Sequence, residues 1–361
     1  MALPTLWLLT SSKAGDNAQA RHLATALALP YREVKLAMKP RFVVGKPKVA
    51  PSLDHVDLSR SDRLDPPWPD LVIAIGRRLS NVALWIRAQS RARTCTVLMG
   101  VPKGEADSFD LAVVPLSHRA TGPRVIEIGL PLMGIPAQQL AQAREAWRET
   151  FARLPRPLTA LLIGGSTAAR RLDPATMRIL LREARSILAR DGGSLAAVTS
   201  PRTPPDAEAI LSEGLPKGAL FFPWRPNAPN PYVGLLALAD RCIVTGDSLS
   251  MIVEAARAGQ PLAIAPVYAA SRAALWLLEA SRLAPRAFDV RRRDRRTRLL
   301  RRLAAIGTSG GPRDTARLHE YLYEHGWAVP LGQPFPMPSA PPPDDSAAVA
   351  ARIRQLLGLT A

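Results

Sequence analysis

The chain has 361 residues, 47% hydrophobic and 22% charged, with 35 prolines and 23 glycines; this composition excludes a disordered, collagen-like or fibrous protein and sets two domains as the expectation. Two cysteines, Cys95 and Cys242, are too few for a disulfide framework or a cysteine-based zinc site. The formal charge of +18, carried mostly by arginine, attracts nucleic acid, anionic lipid or phosphorylated ligands without choosing among them.

No apolar run approaches the roughly 18–20 residues of a membrane helix, and the first, at 3–9, has no charged leader, so the sequence predicts a soluble, cytoplasmic protein. From residue 4 short β-rich runs alternate with helix-compatible stretches: a strand at 5–10, a helix at 16–28, strands at 31–36 and 71–75, and a helix through Trp85 and Ile86. Strands at 95–100, 110–115 and 124–129 follow, then a helix at about 136–153. Pro155 and Pro157 read as a domain boundary, because proline stops helices and disfavours α geometry in the residue before it. The same grammar restarts with strands at 158–165, 194–200, 219–223, 241–246 and 262–266, separated by helices at 173–190, 204–211, 232–239 and 248–259. Such alternation specifies parallel sheets covered on both faces, so two successive doubly wound, Rossmann-like α/β domains are expected at 1–154 and 155–330. Residues 331–361 read as a proline-rich strap and a last amphipathic helix at 347–357.

The sharpest local pattern is Thr245-Gly246-Asp247-Ser248-Leu249-Ser250-Met251, between a strand and a helix. Leu249, Ile252, Val253 and Ala256 fall on one buried stripe, while Ser250 and Glu254 share another face one turn apart. The free amides and positive dipole end of that helix suit a diphosphate, Gly246 allows close approach, and Glu254 can accept from a ribose hydroxyl. The plainer alternative makes Asp247 an N-cap and Glu254 a solvated residue.

Gly164-Gly165-Ser166-Thr167 ends the first strand of the second domain, where doubly wound folds bind ligands. It is neither a Walker loop nor the spaced dinucleotide fingerprint. Two further strand ends carry Ser200 with Arg202, which can pair a phosphate, and Trp224 with Tyr232, which can flank a base; loop capping and surface anchoring are the alternatives.

In the first domain, Gly15 suits a tight turn after strand one, Asp16 or Asn17 can cap the following helix, and Gln19 lies one turn on. Asp16 sits where it can project from the strand's carboxyl end; Gly76 and Arg77 end another strand, and His118 a third. No His/Asp/Glu cluster has metal-ligand spacing, no G-x-S-x-G elbow occurs and neither cysteine has an obvious histidine partner, so no metal, serine-hydrolase or thiol chemistry is expected.

Together, residues 13–19, 69–77, 161–165, 199–203 and above all 244–251 with Glu254 and Ala255 resemble the elongated-mitochondria family of plant mitochondrial fission factors and their bacterial homologues. The likeness spans roughly residues 5–330, and the Asp-Ser-x-Ser-Met block is its most specific piece. In one departure, His118 is followed by Arg119 where the family tends to have Asp. That family is in turn similar to the two-domain glycosyltransferases of the GT-B class, which implies two domains facing a cleft. It also implies a nucleoside-diphosphate sugar held by Gly164, Gly165, Gly246, Asp247, Ser248, Ser250, Met251 and Glu254, and a final helix that crosses back to the amino-terminal domain.

The expected function is a GT-B-like glycosyltransferase that moves a sugar from its nucleotide to a cell-envelope acceptor. It would need no cofactor or metal: Arg202 or Arg77 would stabilise the departing diphosphate, with Asp16 or, second, His118 as base. The alternatives are a non-enzymatic, fission-type membrane scaffold on the same framework and a nucleotide-sugar epimerase. The basic run at 291–302, bounded by Arg291 and Arg302, reads either as a solvated helix face or as a patch holding the protein peripherally on an anionic inner membrane. Nucleic acid is not expected as a partner, since no aromatics interleave with that run.

Overall fold

The computed structural model describes residues 3–44, 47–100, 108–118, 122–166, 171–267 and 315–359. They form two compact units: residues up to 133 together with those from 344, and residues 134–267 together with 315–343.

The first unit contains β1 (Leu6–Thr10), α1 (Ala14–Leu27), β2 (Tyr31–Lys35), α2 (Pro40–Val44), β3 (Leu71–Ile75), α3 (Gly76–Gln89), β4 (Cys95–Met99), β5 (Leu111–Pro115) and β6 (Val125–Ile128). The second contains α4 (Ala137–Ala152), β7 (Leu158–Leu162), α5 (Pro174–Asp191), β8 (Ser194–Val198), α6 (Pro205–Gly214), β9 (Leu220–Phe222), α7 (Tyr232–Leu238), β10 (Arg241–Thr245), α8 (Leu249–Arg257), β11 (Leu262–Ala265), α9 (Thr315–Glu324) and β12 (Ala328–Pro330). The final helix α10 (Ser346–Leu356) returns to the first unit.

Each unit holds one six-stranded parallel sheet, ordered β2-β1-β3-β4-β5-β6 in the first and β12-β11-β10-β7-β8-β9 in the second. The strands read as nearly continuous apolar runs because both faces are covered. Alternation then sorts each strand between two cores: Leu6 and Leu8 of β1 pack with α1, and Trp7 and Leu9 pack with Leu79, Val82 and Ile86 of α3. Both sheets are doubly wound, and the second has the strand order of the dinucleotide-binding folds. Two Rossmann-like units in one chain are what the alternation predicts. The strand order reverses between β1 and β3 in one sheet and between β7 and β10 in the other. Ligands of open α/β sheets bind outside the carboxyl ends of the strands at such places.

α10 packs on α1, burying Val349, Ala350 and Ile353 in the same core as Leu23 and Leu27. Its entry is pinned by the Asp345 carboxylate, which accepts from Gly129 N at 3.0 Å, and by Asp344 against His22 Nε2 at 2.5 Å.

The division between units falls before α4, not at Pro155. Trp147 of α4 stacks on Phe151 at 5.9 Å, and both rings meet Phe222 edge-on. Gly234 of α7 leaves room for that indole, since a Cβ there would lie 2.5 Å from it. The prolines stop the helix, but its aromatic face decides which unit it joins. The segment after β12 lies against the second unit, with Phe335 under the Arg241 guanidinium at 4.8 Å and the Ala340 carbonyl accepting from Trp327 Nε1 at 3.0 Å. Among the described residues no helix is long and apolar enough to cross a membrane.

Candidate functional site

At the β7/β10 reversal both amides and the first carbonyl of a two-glycine turn find side-chain partners. Gly164 N donates to Thr245 Oγ1 at 2.8 Å, and Gly165 N donates to Asp247 Oδ2 at 2.7 Å. The Gly164 carbonyl accepts from the hydroxyls of Ser200 at 2.7 Å and Thr203 at 2.5 Å. These are the conditions under which only glycine fits. A Cβ on Gly164 would lie 2.3 Å from Asp247 Oδ2, and one on Gly165 would lie 2.3 Å from the Arg202 backbone. The turn's own amides are therefore occupied, and it forms a fixed floor beside α8 rather than a set of free anion donors.

The free donors stand at the start of α8. Ser248 takes the N-cap position without capping through its side chain, and Asp247 is turned away to Gly165, so it is not the helix cap. As in any first helical turn, the amides of Leu249, Ser250 and Met251 have no carbonyl one turn behind them. Ile252, Val253 and Ala256 are buried, while Ser250 is exposed and Met251 and Glu254 are half-buried. Gly246 is buried and tight, with its amide on the Ala265 carbonyl and room for no Cβ beside His319.

Asp247 is 7% exposed, and its Oδ1 has no hydrogen-bond partner. Burial pushes its carboxyl above the usual aspartate range, against the pull of the Gly165 amide, the Thr245 hydroxyl and the Arg202 charge. Arg202 is exposed, and its backbone amide is held by Ser200 Oγ at 3.3 Å. Trp224 is half-buried, with its amide on Thr199 Oγ1 at 2.7 Å.

Glu254 is held from α7. The Tyr232 hydroxyl donates to Glu254 Oε2 at 2.5 Å, so Tyr232 serves a carboxylate where the sequence suggested that it flanks a base. Burial raises the pKa of both groups, the Tyr232 phenol well above its ordinary value, while the phenol hydrogen bond pulls Glu254 back down.

The β1/β3 reversal of the first unit is built differently. α1 starts at Ala14, so Gly15 lies within its first turn, with ordinary helical backbone and nothing within 4 Å of a Cβ; no tight turn requires it. Neither Asp16 nor Asn17 caps the helix. Asn17 instead clamps the strand end, its amide oxygen accepting from Ser11 N at 3.1 Å and its Nδ2 donating to the Ser11 carbonyl at 2.6 Å. Asp16 faces Lys13 at 3.9 Å; burial lowers the pKa of Arg78 against the opposing pull of the Asp16 charge, and Gln19 Nε2 donates to the Gly15 carbonyl at 3.5 Å. Gly76 starts α3 at φ +73°, in the left-handed region that favours glycine. The Arg77 guanidinium is half-buried with no ion-pair partner among the described residues, and burial lowers its pKa. His118 closes a short 3-10 turn, Leu116–His118. Arg119 and the basic run at 291–302 lie outside the described residues.

The β7/β10 reversal falls inside residues 14–281, which match the family model described as Mitochondrial fission ELM1. The chain belongs to the mitochondrial fission ELM1 family. Within that family it is similar to the Mitochondrial fission protein ELM1 of Arabidopsis thaliana, with 28% identity over 217 residues, 54% of this chain and 51% of the relative. The match thus spans about half the length of that ELM1 protein. Among solved structures it is similar to the UDP-GlcNAc 2-epimerase of Methanocaldococcus jannaschii (11% identity, TM-score 0.48, covering 98% of this chain and 99% of that one). It is also similar to a glycosyltransferase of Rickettsia africae ESF-5 (10% identity, TM-score 0.46, 100% of both chains).

Sequence reasoning missed Thr245 and Thr203 as parts of the site. Their signal was present: a hydroxyl residue ends β10, and another lies three residues after Ser200, beside a turn with no side chains of its own.

Proposed function

We propose that the second unit binds a nucleoside-diphosphate sugar at the β7/β10 reversal and that the protein transfers the sugar to a cell-envelope acceptor. The observation that carries this reading is the glycine turn stapled by Thr245, Asp247, Ser200 and Thr203 beside the open first turn of α8. In it, the amides of Leu249 to Met251 and the hydroxyls of Ser248 and Ser250 take the diphosphate, aided by the helix dipole. Glu254 takes a ribose hydroxyl through its second oxygen, and Trp224 lies near the base. Arg202, or Arg77 from the first unit, stabilises the leaving diphosphate, so the chemistry draws on no metal or cofactor. Asp16 is the first choice for the base that takes the acceptor proton and His118 the second. The run at 291–302 would hold the protein at an anionic membrane surface, on the cytoplasmic side.

A calorimetric and thermal-shift screen against UDP, GDP, ADP, CMP and their common sugars tests this reading, with Ser248→Ala/Glu254→Ala as the control. A ligand at a hundredfold excess over its Kd should add about 2.7 kcal/mol of stability. The double variant should lose about 1–3 kcal/mol of binding. A hit also opens the search for an acceptor; turnover of the nucleotide sugar without one would identify an epimerase instead. Silence across the panel with folded protein would overturn the reading and leave a non-enzymatic scaffold on the same framework.

A further inference from the structure

We infer that Tyr232 is a positioning residue that makes this site selective for ribonucleotides: its hydroxyl holds one carboxylate oxygen of Glu254 so that the other is presented to the ribose 2′-hydroxyl. The inference rests on the nucleotide reading above and adds to it a residue on a different helix and a specificity.

The geometry begins with chain direction. In a doubly wound sheet each helix that follows a strand begins at the carboxyl edge, the edge where ligands bind. Tyr232 is the first residue of α7, with its amide held by Asn230 Oδ1 at 2.9 Å. Glu254 lies in the second turn of α8, on the face it shares with the exposed Ser250. Two helices therefore bring a phenol and a carboxylate together near the same edge, one turn below the free amides of α8.

An ionised carboxylate is an acceptor only. With Oε2 taken by the phenol, Oε1 has no hydrogen-bond or ion-pair partner among the described residues. It repels phosphate oxygens and suits a hydroxyl donor, which the sugar of a ribonucleotide supplies. A glutamate alone would have to fix several side-chain torsions on binding; the phenol fixes them beforehand, which is the general benefit of a preorganised group. A site that hydrogen-bonds a hydroxyl rejects the analogue lacking it, because the buried partner is left unpaired.

If Tyr232 merely fills space between α7 and α8, removing its hydroxyl changes stability and leaves selectivity alone. If it positions Glu254, selectivity goes. The test is titration calorimetry of UDP, GDP and ADP against dUDP, dGDP and dADP, using the full chain as wild type, Tyr232→Phe and Glu254→Gln. Wild type should prefer the ribonucleotide at least tenfold. Tyr232→Phe and Glu254→Gln should each bring that ratio within about threefold of one. The ratio is taken within one preparation, so a loss of folded protein lowers both arms alike. A wild-type ratio retained in Tyr232→Phe would overturn the inference and leave the nucleotide reading standing. A wild-type ratio near one would overturn it as well, by removing Glu254 from the ribose while keeping the diphosphate site. If none of the six ligands binds the wild type, the nucleotide reading fails and the inference with it.

Discussion

The two units reverse strand order in the same way but finish the reversal with opposite chemistry. At β7/β10 four side chains from two strand ends close on one glycine turn, and both glycines are hemmed in to less than a Cβ's width. At β1/β3 the turn is closed by Asn17 and a long bond from Lys13 N to Ser11 Oγ, Gly15 has open space around it, and Arg77 has no ion-pair partner among the described residues. Topology thus marks two places where a ligand can go, and the hydrogen-bond network marks which of them is rigid before one arrives.

The largest expected break in this contrast is Gly164→Ala, whose methyl must displace Asp247 and Ser248; it should lower stability in urea unfolding by about 3 kcal/mol. Asp247→Ala comes next. It leaves the Gly165 amide buried without an acceptor, a loss of about 2 kcal/mol at neutral pH. Asp247→Asn keeps an acceptor and removes the buried charge. Because burial raises the folded pKa, the wild type carries a penalty that is absent below the ordinary aspartate value of about 3.9 and grows as pH rises through the folded pKa. The asparagine variant should therefore melt higher than wild type at pH 7, and the gain should vanish toward pH 4. An unchanged difference across that range would show that Asp247 is not buried as an acid. In the first unit the effects shrink and then change sign. Asn17→Ala should lose about 1 kcal/mol by releasing Ser11. Gly15→Ala should gain about 0.5 kcal/mol, since alanine suits a helical turn with open space around it. Equal losses at Gly15 and Gly164 would erase the contrast.

How much of this was legible in the sequence follows the range of the interactions. Strand and helix alternation is local, and it placed both sheets and the helix after Thr245-Gly246-Asp247-Ser248. What Asp247 does there is not local: its partner Gly165 lies 82 positions away, and an aspartate before a helix reads as a cap until that partner is known. Tyr232 was visible beyond a strand end and Glu254 on a helix face, but their bond joins two helices. The boundary at Pro155 failed for the same reason, since Trp147 chooses its unit through Gly234, a residue with no side chain to announce the contact.

The return of α10 to the first unit bears on how the protein is made. Val349, Ala350 and Ile353 cover the stripe of α1 that carries Leu23 and Leu27, yet they leave the ribosome only after every described strand of both sheets. Throughout that interval the nascent first unit shows an uncovered apolar helix face, the kind of surface on which folding chains aggregate or recruit chaperones. The second unit has a shorter wait: all its described strands and helices, through β12, are made before α10. The unit synthesised first is in this sense the one finished last.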